Sequence, residues 1–349
     1  MVLKFICPPV SGNGGTETVL VNVVNYLVKF YPVNLYLTSK PENSYWLTQI
    51  DKNVKIIRFN SNNRFFKMIY LLRIFIFSKN QDHFIILGGN VVNLAINIRT
   101  ILYKNWQVTS WIHYSLFQQH YFKPLKLKAA DDHWAISSSI RKQLLEIGVP
   151  SSKIHLIFNP IHRQKQIIKL NQSNTLHLVY VGKIMLNGQK NLKELLDAVS
   201  LYDGSVHISL FGKDFSNGEV KHYISKLGIE KLCTFYSWSK DPWETISQKI
   251  EPDALIMTSR YEGLPMVALE SMSYGIPCIL ADFDGASDIV KDGINGYIYQ
   301  QHNIQDLLQK LAYIKNDKFS SQKIVDSIIN FYEENYYQRI HKYFNDIKQ

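Results

Sequence analysis

The chain has 349 residues, 46% apolar and 19% charged, which is an ordinary globular composition with length enough for two cores. Cys7, Cys233 and Cys278 are far apart and show no CxxC or Cys/His spacing, so neither a zinc site nor a disulfide framework is indicated. The net charge of +10 is uneven: residues 1–170 hold 21 Lys and Arg against 7 Asp and Glu (+14), and the remainder holds 18 against 22 (−4). A basic first half implies an anionic partner there, such as nucleic acid, an acidic membrane surface or a phosphorylated glycolipid.

Residues 2–7 read as a strand without signal-peptide layout, so a cytosolic chain with reduced thiols is expected. No run reaches 18 uninterrupted apolar residues, and no spanning helix is expected. After the loop from Pro8 to Gly15, Leu20, Val23, Val24, Leu27 and Val28 recur at helical spacing. Further strands are expected at 33–37, 54–58, 84–87, 108–112, 133–136 and 154–157. Residues 64–79 are aromatic, apolar and edged by basic side chains. They read either as a helix packed on the sheet or as one lying in a membrane interface.

The polar stretch from His162 to Asn174 has no period and reads as a linker between domains at 1–165 and 175–326. The alternation then restarts with a strand at 176–181 and a helix carrying Leu192, Leu195, Leu196 and Val199. A strand at 207–211, a helix around 219–227 and strands at 232–236, 254–257 and 278–281 follow. A last helix is expected near 327–347. Two βαβ series imply an α/β protein with two parallel sheets, each covered by helices on both faces. Ligands of such sheets bind beyond the carboxyl ends of the strands, so the cleft between the domains is the expected site.

The most informative segment is Ser259-Arg260-Tyr261-Glu262-Gly263-Leu264-Pro265-Met266-Val267-Ala268-Leu269-Glu270. It joins a strand to a helix, with Pro265 expected at the first helical position, where its missing N–H costs nothing. Glu262 then sits in the loop and Glu270 inside the helix, with carboxylates on the order of 8–12 Å apart. That is wider than the roughly 5–5.5 Å of a retaining glycosidase pair and suits two groups gripping different parts of one long ligand. Lys183 and Lys190 flank the loop after strand 176–181, where two ammonium groups suit a diphosphate and stand in for a metal ion. Gly12-Asn13-Gly14-Gly15-Thr16-Glu17 leaves bare backbone for a phosphate or sugar, but it is neither a dinucleotide fingerprint nor a P-loop. Asp282-Phe283-Asp284 and Asp131-Asp132-His133 carry metal-friendly residue types, and both read more simply as ordinary loops.

Together these residues resemble glycosyltransferase family 4, the retaining, nucleotide-sugar-dependent enzymes with two facing Rossmann-like domains (GT-B). Glu262 and Glu270 match the family's paired glutamates, including the Gly-Leu-Pro after the first; Lys183 and Lys190 match its basic pair, usually Arg then Lys. The stretch from Ser287 to Gly296, the Gly14-Gly15-Thr16-Glu17 loop and Asn159-Pro160 match further family segments, with Asp288 and Pro160 as departures. Ser11–Val19, Asn187–Asn191 and Met272–Cys278 are most similar to the family's lipopolysaccharide galactosyltransferases.

The resemblance implies that Glu262 holds the donor hexose, helped by the backbone of Gly263, Leu264, Pro265 and Met266, and that Glu270 takes the ribose. Lys183 and Lys190, with Gly14 and Gly15, are implied for the donor diphosphate, and His113 matches a family histidine near the reacting sugar. Glu262, His113 and Lys190 are thus the implied catalytic residues, with no metal and no cofactor beyond the UDP-sugar co-substrate. His120, His133 and His155 have no such match and are assigned structural roles. The implied activity is transfer of a galactose- or glucose-type hexose to a glycolipid or surface polysaccharide such as lipopolysaccharide core. The basic domain would then face the inner membrane surface from the cytoplasm. Two alternatives are a sugar-nucleotide epimerase of the same shape and a non-catalytic binder of membrane or nucleic acid.

Overall fold

The computed structural model describes residues 1–10, 14–61, 63–118, 122–239 and 241–347. Ser11, Gly12 and Asn13 of the first glycine loop, and His120, lie outside the described residues. The chain forms two compact units: Met1–Pro160 together with the chain from Tyr336 on, and Ile161–Asn335.

The first unit is built on seven parallel strands: β1 (Leu3–Cys7), β2 (Val33–Leu37), β3 (Lys55–Arg58), β4 (His83–Ile86), β5 (Gln107–Ile112), β6 (Asp132–Ala135) and β7 (Ile154–Leu156). Their order is β3-β2-β1-β4-β5-β6-β7. β1 and β4 are buried along their whole length, as central strands of a sheet covered on both faces must be. Lys4 in β1 is tolerated because its ammonium meets Asp82 at 2.7 Å and the Ser78 hydroxyl at 2.6 Å. The helix Glu333–Asp346 buries Tyr336, Ile340, Tyr343 and Phe344, one stripe at helical spacing. Tyr337 stacks on Tyr26 with ring centroids 3.7 Å apart, and the Tyr343 hydroxyl lies 2.6 Å from Thr109 Oγ1.

The second unit holds β8 (Leu176–Val181), β9 (Val206–Phe211), β10 (Cys233–Tyr236), β11 (Ala254–Met257), β12 (Cys278–Ala281) and β13 (Gly296–Tyr299), again all parallel. Their order is β10-β9-β8-β11-β12-β13. β13 was not among the expected strands. Its first residue, Gly296, has φ +149° and lies so close to β12 that an added Cβ would stand 1.9 Å from the Cys278 carbonyl oxygen. Both sheets reverse their strand order once, between β1 and β4 and between β8 and β11, and such switch points are where these folds open a crevice.

Two expectations need correction. The stretch from 162 to 174 is not a free linker but part of the second unit. Ile168 is buried and its N–H reaches the Tyr274 carbonyl at 2.9 Å, while Asn171 Nδ2 bonds Asp253 Oδ2 at 2.7 Å. Polarity alone does not reveal backbone that is tied down by distant residues. The final helical stretch is also interrupted: a short helix Ser321–Ser327 and a 3₁₀ turn Ile329–Phe331 precede the helix Glu333–Asp346.

Candidate active site

Because β8 and β11 are hydrogen-bonded neighbours, the loops that leave their carboxyl ends are adjacent. Polar contacts then lock one loop to the other. The Arg260 N–H donates to the Gln189 carbonyl at 2.8 Å, and Thr258 Oγ1 donates to the carbonyls of Lys190 (3.2 Å) and Asn191 (3.0 Å). On this frame the Lys190 ammonium reaches Glu262 Oε1 at 2.6 Å, with both side chains largely buried. Gln189 Nε2 bonds the Tyr261 carbonyl at 3.2 Å and stands 3.5 Å from Glu262 Oε2. Glu262 is therefore held through both oxygens before any ligand arrives.

Asn191 makes the turn that presents Lys190. Its φ of 48° is left-handed, a conformation that asparagine tolerates better than most residues. Its amide donates to buried Glu194 Oε2 at 2.6 Å, and Glu194 Oε1 accepts the His302 N–H at 3.0 Å. Gly182 and Gly212 let the loops after β8 and β9 touch, since a Cβ on Gly212 would come within 1.8 Å of the Gly182 carbonyl oxygen.

Glu270 lies on the helix Met266–Ser273. Pro265 is the residue that caps this helix rather than its first member, one position earlier than expected. The N–H groups of Gly263, Leu264 and Met266 have no hydrogen-bond partner among the described residues, which is the usual state of a helix start. They follow Glu262 directly in the chain, at the junction of its loop with this helix. Trp243 Nε1 donates to Glu270 Oε2 at 3.1 Å, and its ring stacks on Tyr274 with centroids 5.4 Å apart. Burial pushes the Glu270 carboxyl up; the Trp243 N–H opposes this and the Asp241 carboxylate adds to it.

Lys183 is exposed, and its ammonium lies 5.3 Å from the Phe215 ring, which Lys213 approaches from 5.5 Å. Among the described residues it makes no ion pair, so its charge is available to a ligand. The structure thus joins Lys190 to Glu262, with Lys183 unpaired near the start of the same loop.

The first-half candidates lie in the other unit. Gly14 and Gly15 follow β1 and begin the helix Gly15–Leu27, and His113 follows β5, two strands along the same sheet edge. His113 packs on Trp111 with centroids 4.5 Å apart, and its Nε2 is buried without a hydrogen-bond partner among the described residues. Burial pushes its pKa down to about 3, so the ring is neutral. His133 bonds Ser110 and His155 bonds Asp132, which are structural tasks. The acidic loops are likewise engaged: Asp131 Oδ2 accepts the Val108 N–H at 2.8 Å, and Asp282 Oδ1 accepts the Gln301 N–H at 2.9 Å.

Sequence reasoning missed Trp243, Thr258 and Gln189 as supports of the site. Asp241-Pro242 signals a helix start, and Asp241 does cap that helix, but nothing local shows that Trp243 reaches Glu270.

The group described as glycosyl transferases group 1 matches residues 162–330, nearly the span of the second unit. Over the whole chain, the lipopolysaccharide 1,6-galactosyltransferase of Escherichia coli (strain K12) is 33% identical across 98% of this chain and 97% of its own length. The chain belongs to the group 1 glycosyl transferases. The lipopolysaccharide 1,6-galactosyltransferase of Salmonella typhimurium is 30% identical across 97% of both chains. The solved lipopolysaccharide outer core galactosyltransferase WaaB, in its apo form, superposes on this glycosyltransferase with TM-score 0.88, 29% identity and 99% of each chain covered. The Anabaena protein HepE, solved with UDP-glucose, shares the fold at TM-score 0.78 and 18% identity, with 99% of this chain and 100% of its own covered. These are two-domain, parallel-sheet GT-B enzymes, and this chain is one of them. Among its described residues no helix is long and apolar enough to cross a membrane.

Proposed function

We propose that this glycosyltransferase moves a galactose- or glucose-type hexose from a UDP-sugar to a lipid-borne saccharide such as lipopolysaccharide core, with retention at the anomeric carbon. The observation that carries the reading is the Lys190–Glu262 pair at the β8–β11 switch point, flanked by Glu270 and by the unpaired charge of Lys183. The names of the relatives that are 33% and 30% identical supply the sugar and the acceptor class. The UDP of the donor rests on the family resemblance, and a protein of the same fold has been solved with UDP-glucose.

In this reading Glu270, steadied by Trp243, accepts hydrogen bonds from the ribose hydroxyls. Glu262 accepts from hexose hydroxyls, and the free N–H groups of Gly263, Leu264 and Met266 donate to the same sugar. As the bond from C1 to the phosphate oxygen breaks, negative charge grows on the diphosphate. Lys190 and Lys183 are fixed cations for that charge, the kind of preorganised stabilisation that contributes most to catalysis. The acceptor oxygen bonds to C1 on the same face, and its proton passes to the departing diphosphate. Neutral His113 orients the sugar through a hydrogen bond rather than by charge, and Gly14 and Gly15 offer bare backbone to the diphosphate. No divalent cation is required in this scheme. The three free thiols suit a reducing compartment, and we place the enzyme in the cytoplasm.

The test has two stages. Thermal unfolding is measured with a panel of nucleotide sugars, where UDP-galactose or UDP-glucose is expected to raise the midpoint and the corresponding GDP and ADP sugars are not. UDP release is then followed with and without lipopolysaccharide core. Release that accelerates with acceptor and persists in excess EDTA supports the proposal. Turnover of the donor alone, indifferent to acceptor, would identify an epimerase, and loss of turnover in EDTA would remove the lysines from their role.

A further inference from the structure

The helix Arg64–Ile76 is apolar almost all the way round. Leu71, Ile74 and Phe75 face inward, where Phe75 meets Phe84 edge-on at 5.1 Å and stacks on Trp106 at 5.7 Å. That narrow stripe holds the helix on the sheet. Its outer side should then be polar in an ordinary surface helix, and it is not. Phe65 is 68% exposed, Phe66 54%, Ile76 41% and, just past the helix, Phe77 78%. Helical spacing sets them on one outward side with Arg73 between them.

The patch continues onto the next element. Lys104 Nζ donates to the Ser78 carbonyl at 3.4 Å, which places the end of the helix Gly89–Ile101 alongside. There Ile101 is 72% exposed and Tyr103 92%. A groove of about 640 Å³, lined in part by Phe59, Phe66, Tyr70 and Arg73, opens next to the helix.

Charge selects the occupant. Residues 52–130 contain 12 Lys and Arg and a single acidic residue, Asp82, which is buried against Lys4 at 2.7 Å. The groove and its rim therefore offer aromatic and aliphatic groups among cations, with no exposed carboxylate to repel an anion. A protein partner's interface core is depleted of charge, whereas a lipid headgroup layer is anionic above and apolar below. The helix is about 20 Å long, short of the roughly 30 Å needed to span a bilayer, so it is suited to lie in the plane.

We propose that the outer face of the helix Arg64–Ile76, extended by Phe77 and Tyr103, seats this enzyme on an anionic phospholipid leaflet. The aromatics enter the headgroup–acyl boundary, and Arg64, Arg73 and Lys79 extend their stems toward phosphates. The inference goes beyond the donor reading, and its test contains no nucleotide, so the two fail separately.

The full chain is mixed with vesicles of phosphatidylcholine alone or with 30% phosphatidylglycerol, and floated. Wild type is expected to float with the anionic vesicles only and to be released by high salt. The double variant Phe65→Ser/Phe77→Ser should lose on the order of tenfold or more in vesicle affinity, and Arg64→Gln/Lys79→Gln about fivefold per charge. Both pairs lie on the solvent side, so unchanged thermal midpoints are expected to accompany the losses. Equal binding to neutral vesicles, no flotation, or full flotation of the Phe double variant would each overturn the proposal. So would a concentration-dependent dimer that the Phe variant dissolves, because the face would then cover a second copy of the chain.

Discussion

The two units share one topology and use it differently. At the switch point of the second, the central polar groups are already paired: Lys190 on Glu262, Thr258 on the backbone beneath Lys190, Trp243 on Glu270. At the matching edge of the first, the residues are bare glycines and a neutral histidine packed on Trp111, and the charge has moved to the outer surface. A rigid, pre-paired site suits one small charged ligand whose leaving group must be stabilised without rearrangement. An edge of bare glycine backbone and a neutral imidazole offers hydrogen bonds without a fixed charge. Scaffolds of like strand order thus diverge through the loops at their strand ends.

The sharpest way to break this comparison is Lys190→Ala. It should lower kcat by on the order of 10²–10³-fold in an assay of UDP release and also lower the thermal midpoint, since Glu262 is left without its ammonium in a largely buried site. Lys183→Ala removes a solvent-exposed cation, so a smaller loss of turnover with an unchanged midpoint is expected. Equal behaviour of the two variants would mean that the pairing seen in the structure has no catalytic consequence.

Trp243→Phe keeps an aromatic ring, though a smaller one, and deletes the N–H donated to Glu270. Donor affinity should fall roughly tenfold, the scale of one hydrogen bond to a charged group, with little change in kcat. An effect confined to kcat would detach Glu270 from ribose binding. A milder change, Asn191→Ala, asks for a left-handed residue without an amide. It should cost about 1–2 kcal/mol of stability and reduce turnover several-fold by letting the Lys190 turn relax, whereas Asn191→Gly should recover part of the stability loss.

The smallest and most graded contrast is with pH. Burial pushes His83 and His133 down to about 4 and His113 to about 3, and all three belong to the first unit. Their pKa values in the fold lie below those of the unfolded chain, near 6.5, so between about pH 6.5 and 3 the unfolded state binds more protons. Stability is present in full above that window and is lost as pH falls through it. Acid melts followed by tryptophan emission should show the unit that holds Trp106, Trp111 and Trp134 opening first. A second unit that opens at higher pH would contradict this ordering.

Strand positions were legible because buried parallel strands are short β-branched and aromatic runs, and those runs stand out from any neighbourhood. Glu262 and Glu270 were legible for a related reason: strand, loop, Pro265 and helix follow one another without interruption, so local rules place both carboxylates. β13 escaped because it opens on Gly296, which is chosen for close approach to Cys278 rather than for strand propensity. The stretch at 162–174 escaped because its partners, Tyr274 and Asp253, lie some hundred residues away. Residues 64–79 were read as either packed or lipid-facing. The structure shows one side packed on the sheet and the other exposed, and side-chain direction is what separates them.

From the order of its residues alone, this chain declared two α/β halves, the loops that hold the candidate site residues and the sign of charge on each half. All of these are properties of neighbours in sequence and of composition. Which ammonium meets which carboxylate, which indole steadies Glu270 and which helix face is left bare were decided only on folding. Those contacts join strands and loops far apart along the chain, and sheet order, which no local pattern encodes, determines who stands next to whom.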